Sequence, residues 1–353
     1  MNSIYYRDGH AELHVGDALD VMATLPSASV DCVVTSPPQW GMRDYETAEW
    51  SGGNPRCQHT LGTTPHQRRT AKKTRIGSHH TRREKHCRRC GAISRDRQYG
   101  LESTIEEYVR RLRQVSREIA RLLTPEGTFW LNLRDCYSYH NGGTGTTRTA
   151  QGEDPHAVIR HKSLMGVPWR LALDLQHDGW IIRNAVAWHK PNALPDPASD
   201  RFSSRYEMVF LLVKQPSYYF DLSQVLERLS QSRPAYRKDH RGGNKPHTVK
   251  SPWRPGHRGK NPGDVWSVPT RPLPDAHCAP FPIDLAWRCI AAGCPENGRV
   301  LDPFSGAGTT GLAASSLGRF FQGIDLRSDY HEIFLRRRSR NVTPHQPRSV
   351  RQA

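Results

Sequence analysis

The chain has 353 residues, with 51 Lys and Arg against 34 Asp and Glu, so its formal net charge is +17. Hydrophobic residues make up 36% of it, which suits a globular protein with long polar insertions and excludes a fibrous or wholly disordered one. No apolar run approaches the ~20 residues of a membrane span, and the first residues lack the pattern of a secretory signal. We therefore expect a cytoplasmic protein with no membrane contact and an anionic partner.

The positive charge is concentrated in three segments. Residues 56–97 hold 13 Lys and Arg against two acids, residues 233–260 hold nine against one, and residues 334–353 hold six Arg and no acid. Basic segments of this composition are typical of loops that contact phosphate, although a solvated surface without a partner is composed in the same way. Charge therefore favours a nucleic-acid partner, without separating DNA from RNA.

In chain order, the sequence predicts strands that alternate with helices. Predicted strands cover 31–35, 128–133, 180–188, 207–213, 299–302 and 319–326, and a short extended start before Val15 gives a seventh if it joins the sheet. Predicted helices cover 104–123, 164–177, 283–292 and 309–317. This alternation predicts an α/β fold, in which a mostly parallel sheet of about seven strands carries helices on both faces.

The most informative stretch is a glycine-rich turn at residues 302–311, Asp-Pro-Phe-Ser-Gly-Ala-Gly-Thr-Thr-Gly, between a predicted strand and a predicted helix. Glycines permit close approach of a backbone, and the free N–H groups at a helix start bind a negative group. Asp325 follows on the next predicted strand, in a position to accept hydrogen bonds from ribose hydroxyls. The turn is therefore a candidate ligand site.

Several interpretations of this turn compete. A Walker phosphate loop requires Gly-Lys-Ser/Thr, and no Lys is present. A dinucleotide fits the Gly-x-Gly-x-x-Gly pattern at 306–311, but only 28 residues follow Asp325, too few for a second mononucleotide-binding half. With S-adenosylmethionine, Asp302 would face the cationic end, Phe304 would cover it, and the helix start would take the carboxylate. A strand-to-helix turn with no ligand is the structural alternative.

A second motif, Asp-Cys-Val-Val-Thr-Ser-Pro-Pro-Gln-Trp-Gly at 31–41, stands upstream of the glycine turn. The two motifs in this order resemble the amino-group DNA methyltransferases, and most closely the permuted (beta-type) branch in which the catalytic motif precedes the cofactor motif. The resemblance covers most of residues 11–40, 100–215 and 277–330. It implies a Rossmann-like S-adenosylmethionine-dependent methyltransferase fold, double-stranded DNA as substrate and a cognate restriction endonuclease as a possible partner.

The resemblance assigns the chemistry to the Ser-Pro-Pro corner. An exocyclic amine is a poor nucleophile, because its lone pair is conjugated with the ring. Acceptors such as Ser36 Oγ and the Pro37 carbonyl would bind its N–H groups and favour a reactive, pyramidal nitrogen, with Pro38 stiffening the corner. The amine then attacks the sulfonium methyl in line, after the base has flipped out of the duplex.

The resemblance also concerns the identity of the base. The Ser form of the motif is most often associated with N4 of cytosine and the Asp form with N6 of adenine, so we expect N4-cytosine, with N6-adenine as the alternative. The fourth position is normally an aromatic residue that stacks on the base, and here it is Gln39. We expect Gln39 and Trp40 to flank the base, by amide contact or by stacking. An impaired nucleic-acid-binding protein on the same scaffold is the third interpretation.

Further segments match the family pattern. Residues 188–192, Trp-His-Lys-Pro-Asn, match the segment that usually lies near the extruded base. Asp17 is expected to reach the adenine end of the cofactor and Asp325 its ribose. The residues expected around the cofactor are Asp17, Phe281, Pro282, Asp302, Phe304, Gly306, Gly308, Thr309 and Asp325.

The same comparison divides the chain into six segments. We expect the catalytic domain over 1–46, 101–214 and 277–333, a basic Cys/His insertion over 47–100, a target recognition region over 215–276 and a basic tail over 334–353.

Two pairs of metal-ligand residues bracket the most basic segment. The four expected ligands are Cys57, His59, Cys87 and Cys90. Their number and type suit a tetrahedral zinc site, which would be structural, because the family's catalysis needs no metal. His66 or His86 could replace His59, and reduced thiols without metal are the alternative. The remaining cysteines stand in apolar contexts and are predicted to be core residues: Cys32, Cys136, Cys278, Cys289 and Cys294.

Overall fold

A computed structural model gives the fold of most of the chain. It describes residues 3–45, 47–59, 85–138, 159–160, 162–227, 259–271, 273 and 280–340. Most of the basic segment 56–97, the middle of the predicted recognition region (228–258) and the end of the tail (341–353) lie outside the described residues, as do His66 and Cys278.

The described residues form twelve strands, six helices and one short 3-10 turn. The strands are β1 (Ser3–Arg7), β2 (Ala11–Val15), β3 (Val30–Thr35), β4 (Glu49–Ser51), β5 (Lys85–His86), β6 (Ile93–Arg95), β7 (Leu123–Leu133), β8 (Ile181–His189), β9 (Tyr206–Val213), β10 (Val265–Ser267), β11 (Arg299–Asp302) and β12 (Phe320–Asp325). The helices are α1 (Ala18–Met22), α2 (Ile105–Leu122), α3 (Val167–His177), α4 (Ile283–Gly293), α5 (Thr309–Ser316) and α6 (Ser328–Arg340), and the 3-10 turn is Leu222–Val225.

Nine of these strands form one sheet, in the order β1-β2-β12-β11-β3-β7-β9-β8-β10. Strand β1 is antiparallel to β2, and β9 is antiparallel to both of its neighbours, while the other pairs are parallel. The central strands are nearly continuous apolar runs, as expected of strands buried on both faces. The carboxyl ends of β2, β12, β11, β3 and β7 therefore lie side by side at one edge.

Helices cover both faces of the sheet. Buried residues of α1, α2 and α3 pack into one apolar core, and those of α4, α5 and α6 pack into a second core on the other face. Helix α2 illustrates the local cause: the Thr104 hydroxyl accepts a hydrogen bond from Glu107 N at 3.1 Å, and its apolar residues recur on the buried face. The predicted Rossmann-like α/β fold is confirmed.

The structure differs from the sequence prediction in three places. The large sheet has nine strands rather than about seven, because β1 forms a hairpin with β2 and β10 lies inside the predicted recognition region. A three-residue strand such as β10 is too short to show the alternation of apolar and polar residues that predicts a strand. The predicted insertion at 47–100 contains a small antiparallel sheet, β4-β6-β5. Helix α6 crosses the predicted boundary at 333, and its Phe334 is fully buried.

Spanning a bilayer requires a helix that is both long and apolar. Within the described part of the chain, no helix meets both conditions.

Candidate active site

A cavity of about 980 Å³, counting its open mouth, lies at the carboxyl edge of the sheet. The Ser-Pro-Pro corner after β3 and the glycine turn after β11 both line it. The two strands are neighbours, with Cys32 opposite Val300 and Val33 opposite Leu301. The two sequence motifs, which are far apart in the chain, therefore meet around one cavity.

Asp302 connects the two motifs directly. Its carboxylate accepts hydrogen bonds from the hydroxyls of Thr35 (2.6 Å) and Thr310 (2.7 Å) and from Phe304 N (3.1 Å). Burial raises the pKa of Asp302 to about 6, against the lowering effect of these bonds. Asp302 lines the cavity as predicted, but both of its oxygens are engaged, so it joins β3, β11 and α5.

The glycine turn needs glycine for steric reasons. Gly308 precedes α5 in the left-handed region, with φ +71°, and a Cβ there would lie 2.4 Å from the Phe334 ring. Gly306 and Thr309 line the cavity, whereas Gly308 does not. Ser305 Oγ, also on the cavity wall, is buried and has no hydrogen-bond partner among the described residues. A polar ligand would satisfy it.

Asp325 closes the turn from the neighbouring strand β12. Its carboxylate accepts hydrogen bonds from Gly306 N and Arg327 N, both at 2.9 Å. Desolvation nevertheless raises the pKa of Asp325 to about 7. The predicted ribose acceptor therefore lines the cavity and titrates near neutral pH.

The other predicted cofactor residues divide into two groups. Asp17 and Phe281 line the cavity, and the Asp17 carboxylate caps α1 by accepting from Leu19 N at 2.9 Å. Pro282 is outside the lining and stands at the start of α4. Phe304 lines the cavity and meets the Tyr99 ring edge-on, with centroids 5.0 Å apart.

Several cavity residues carried no signal in the sequence. They come from the two ends of the Cys/His insertion and from the region of α6, and they approach the cavity only through long-range packing. The Arg327 guanidinium, for example, donates to Tyr45 O at 2.8 Å. The residues missed are Tyr45, Thr47, Gln98, Tyr99, Arg327 and Tyr330, and Ser305 was not singled out within the glycine turn.

The Ser-Pro-Pro corner presents its acceptors to the cavity. Gln39 Nε2 lies 3.3 Å from Ser36 Oγ and 3.2 Å from Pro37 O, and the Pro38 carbonyl accepts from Tyr108 Oη at 3.0 Å. Gln39 lines the cavity, as predicted, but Trp40 does not. The Trp40 indole packs against the core and donates to a backbone carbonyl at 3.1 Å.

The four predicted metal ligands are brought together at the small sheet. Their ligand atoms all lie within 4.8 Å of one another, with Cys57 Sγ 3.9 Å from Cys87 Sγ and Cys90 Sγ 3.4 Å from His59 Nδ1. Cys87 N donates to Ala92 O at 2.7 Å, which forms a tight turn around the Cys-x-x-Cys pair. His59, and not His86, is the histidine of this group.

Comparison with known proteins identifies relatives along nearly the whole chain. The family model for N6 and N4 methyltransferases, described as DNA methylase, matches residues 30–336. Type II methyltransferase M.Cfr9I of Citrobacter freundii is 33% identical over 334 residues, which cover 93% of this chain and 87% of the relative. Type II methyltransferase M.SmaI of Serratia marcescens is 33% identical over 338 residues, covering 92% and 90%.

Solved structures share the fold. The PvuII DNA methyltransferase (cytosine-N4-specific) has a TM-score of 0.59 and 16% identity, covering 94% of this chain and 87% of its own. A Thermus thermophilus protein solved with S-adenosyl-L-methionine has a TM-score of 0.51 and 22% identity, covering 94% and 93%. With the family model matching most of its length, this chain belongs to the N6/N4 family of DNA methyltransferases.

Proposed function

We propose that the protein transfers the methyl group of S-adenosylmethionine to N4 of a cytosine that is flipped out of double-stranded DNA. One observation carries this proposal: the acceptor pair Ser36 Oγ and Pro37 O and the acid-lined glycine turn share a single cavity. The Ser form of the motif and the name of the PvuII relative, which is cytosine-N4-specific, support cytosine.

The residues of the glycine-turn half fit the cofactor. Asp325 would accept the ribose hydroxyls, Phe304 and Phe281 offer apolar walls, and Ser305 Oγ is a buried polar atom in need of a partner. The bound cofactor supplies an electrophilic methyl group on a sulfonium. The joint at Asp302 fixes this half relative to the Ser-Pro-Pro corner, which sets the direction of approach of the amine.

The Ser-Pro-Pro half would orient the target nitrogen. Ser36 Oγ and Pro37 O each accept one N–H of the amine, which withdraws the lone pair from conjugation and directs it toward the methyl group. We expect Ser36→Ala to lower kcat by about 100-fold, the size of effect seen when one preorganised hydrogen-bond partner is removed. Cofactor affinity, measured by calorimetry, should stay unchanged, because Ser36 contacts the base. Equal losses in kcat and cofactor affinity would contradict this role.

The decisive experiment identifies the product. The protein is incubated with DNA and methyl-labelled S-adenosylmethionine, and the DNA is digested to nucleosides and examined by mass spectrometry. We expect N4-methylcytosine. A digest without any methylated nucleoside would overturn the proposed activity, and sequencing of the modified DNA gives the recognition site.

N6-adenine is the second candidate. The DNA adenine methyltransferase YhdJ of Escherichia coli (strain K12) is 34% identical over 163 residues, which cover 45% of this chain and 52% of that protein. The same digest separates the two candidates, since N6-methyladenine would replace N4-methylcytosine.

We also propose that Cys57, His59, Cys87 and Cys90 hold a structural zinc ion. In a tetrahedral site with Zn–S of about 2.3 Å, ligand sulfurs stand about 3.8 Å apart, close to the 3.9 Å between Cys57 and Cys87. Elemental analysis of the purified protein should find one zinc per chain.

The basic composition of residues 233–260 and the relatives' names support two further proposals. We propose that residues 215–276 read the DNA sequence and that the methylation protects DNA from a cognate restriction endonuclease. The relatives named Type II methyltransferase support the second of these.

A further inference from the structure

The side chain of Gln39 contacts the two oxygens, Ser36 Oγ and Pro37 O, that are proposed to bind the target amine. Its Nε2 is within hydrogen-bond distance of both Ser36 Oγ (3.3 Å) and Pro37 O (3.2 Å). Its Oε1 accepts from Arg134 N at 2.9 Å. Because a backbone N–H can only donate, this third bond fixes the orientation of the carboxamide, with the NH2 group toward Ser36 and Pro37.

A carboxamide NH2 is chemically close to the amine of cytosine or adenine. Both are planar groups on an sp² carbon, and both carry two N–H donors. The contacts that hold the Gln39 amide are therefore the contacts expected for the target amine. The two groups cannot be there at the same time.

From this overlap we propose that Gln39 is an internal placeholder for the target amine, which occupies the Ser36–Pro37 acceptor pair until a flipped base displaces it. The inference rests on the proposed function. An incoming amine restores the two hydrogen bonds that the Gln39 amide gives up. A base with a carbonyl at that position can accept from the Ser36 hydroxyl, but it leaves the buried Pro37 O without a donor. The placeholder therefore discriminates against bases that lack an amine.

Contacts on both sides of Gln39 hold its backbone in place, so only its side chain is free to move. The Pro38 carbonyl is held by Tyr108, and Gly41 N donates to Gly100 O at 2.8 Å. Gly100 packs so closely that a Cβ there would lie 2.7 Å from Gln39 O. Because the backbone on both sides is fixed, displacement has to occur by rotation about the side-chain bonds of Gln39, at the cost of its hydrogen bonds.

The first test observes the amide in the free protein. In protein labelled with ¹⁵N-glutamine, Gln39→Met identifies the Gln39 side-chain signal by its loss. We expect its NH2 hydrogens to exchange with solvent at least about tenfold more slowly than those of the exposed Gln176, since they are hydrogen-bonded. Equal exchange rates for Gln39 and Gln176 would overturn the proposal.

The second test adds DNA that contains the mapped site, together with S-adenosylhomocysteine. We expect the Gln39 signal to shift and its hydrogens to lose protection, whereas DNA with thymine at the target position leaves both unchanged. A Gln39 signal that is unaffected by the cognate DNA would refute displacement.

The third test measures whether substitution of Gln39 strengthens or weakens DNA binding. Removing the competing amide should tighten DNA binding, so we expect Gln39→Met to lower the dissociation constant for cognate DNA by about tenfold. Gln39→Asn is the matched variant, because it keeps an amide that is too short to span the same contacts, and it should behave like Gln39→Met. Gln176→Met makes the same substitution at an exposed position outside the cavity and should leave the dissociation constant unchanged. Weaker binding by both Gln39 variants would instead assign Gln39 a direct contact with the base.

These outcomes are separate from a failure of the proposed activity. If the wild-type protein yields no methylated nucleoside, the proposed function fails and the placeholder fails with it. If methylation occurs and the Gln39 tests are negative, only the placeholder is refuted.

Discussion

At the scale of single residues, the site depends on acids placed where water is scarce. Asp302 and Asp325 stand at the ends of neighbouring strands, and desolvation raises the pKa of both, to about 6 and about 7. Asp302 is enclosed by three donors, so its ionisation affects the joint between the motifs. Asp325 lines the cavity and should affect the ligand.

Cofactor affinity should therefore depend on pH. A carboxylate accepts hydrogen bonds from ribose hydroxyls better than a carboxylic acid does, so the affinity should rise as the pH increases through about 7. Since one proton is involved, we expect S-adenosylmethionine to bind about tenfold more tightly at pH 8 than at pH 6. Calorimetric titrations across this range measure the effect.

The control for this prediction is Asp325→Asn. It removes the titrating group, so its affinity should be lower at pH 8 and should lose the step near pH 7. If a step of the same size persists in Asp325→Asn, the titrating group is another residue, with Asp302 as the nearest.

At the scale of elements, the small sheet β4-β6-β5 has little apolar material of its own. Its strands have three, three and two residues, and most of their described side chains are exposed or half-buried. The Trp50 ring stacks on His59, one of the proposed zinc ligands, with centroids 4.8 Å apart. We therefore expect the sheet to depend on the proposed zinc ion for its stability.

Loss of zinc should unfold the small sheet and leave the large sheet folded. We expect Cys90→Ser to abolish zinc binding and to raise hydrogen exchange across residues 49–59 and 85–95, with protection retained in β3 and β11. Cys136→Ser, outside the ligand group, is the control and should retain zinc. Loss of protection throughout the large sheet would contradict a local role for the metal.

The connection between β8 and β9 is the second informative element. Strands β7 and β8 are both antiparallel to β9, so they run in the same direction. The connection therefore begins at the carboxyl edge of the sheet, where the cavity lies. Arg201 anchors it through an ion pair with Asp196 (2.7 Å) and a position 3.9 Å from the Tyr137 ring. Next to this anchor, the Phe202 side chain is 98% exposed. A large exposed aromatic at the sheet edge that carries the cavity would suit a wedge that fills the gap left by a flipped base.

Removing this wedge should weaken DNA binding selectively. We expect Phe202→Ala to lower kcat/KM for DNA by about tenfold, the lower end of what one base–aromatic stack contributes. Cofactor affinity should be unchanged. Leu173→Ala, which changes an exposed apolar residue on α3, is the control and should have no effect. Equal effects of the two variants would contradict the wedge.

At the scale of the whole molecule, a net charge of +17 predicts strongly salt-dependent DNA binding. Each phosphate contact releases counterions, so we expect affinity for duplex DNA to fall by about 10³-fold between 50 and 200 mM salt. Fluorescence anisotropy with labelled DNA measures this, and cofactor binding to the free protein should change little. A flat salt response would show that the basic segments do not contact phosphate.

The sequence was sufficient to predict features that depend on local pattern. Helix α2 shows its period and its Thr104 cap, and the alternation of strands and helices indicated the fold class. Each of the Ser36–Pro37 and 302–311 motifs follows a predicted strand, and the family resemblance implies that both take part in one methyl transfer. The structure brings the two motifs together at neighbouring strand ends around one cavity.

Features that depend on distant packing were not predicted. Tyr99 reaches the cavity because its ring packs edge-on against Phe304, and no sequence periodicity indicates such a long-range contact. Trp40 was expected beside the base, but its indole finds a backbone acceptor in the core. The two short strands missing from the prediction, β1 and β10, are defined by their partners.

The pairing of β11 with β3 and of β12 with β2 has a consequence for synthesis on the ribosome. The nascent chain exposes its Ser-Pro-Pro corner early, yet β3 waits for β11, about 270 residues later, and β2 waits for β12, about 310 residues later. Until then the cavity lacks the walls that follow β11 and β12. A polypeptide interrupted before β11 would thus carry the proposed amine-binding corner without the glycine turn, and we expect such partial products not to methylate DNA.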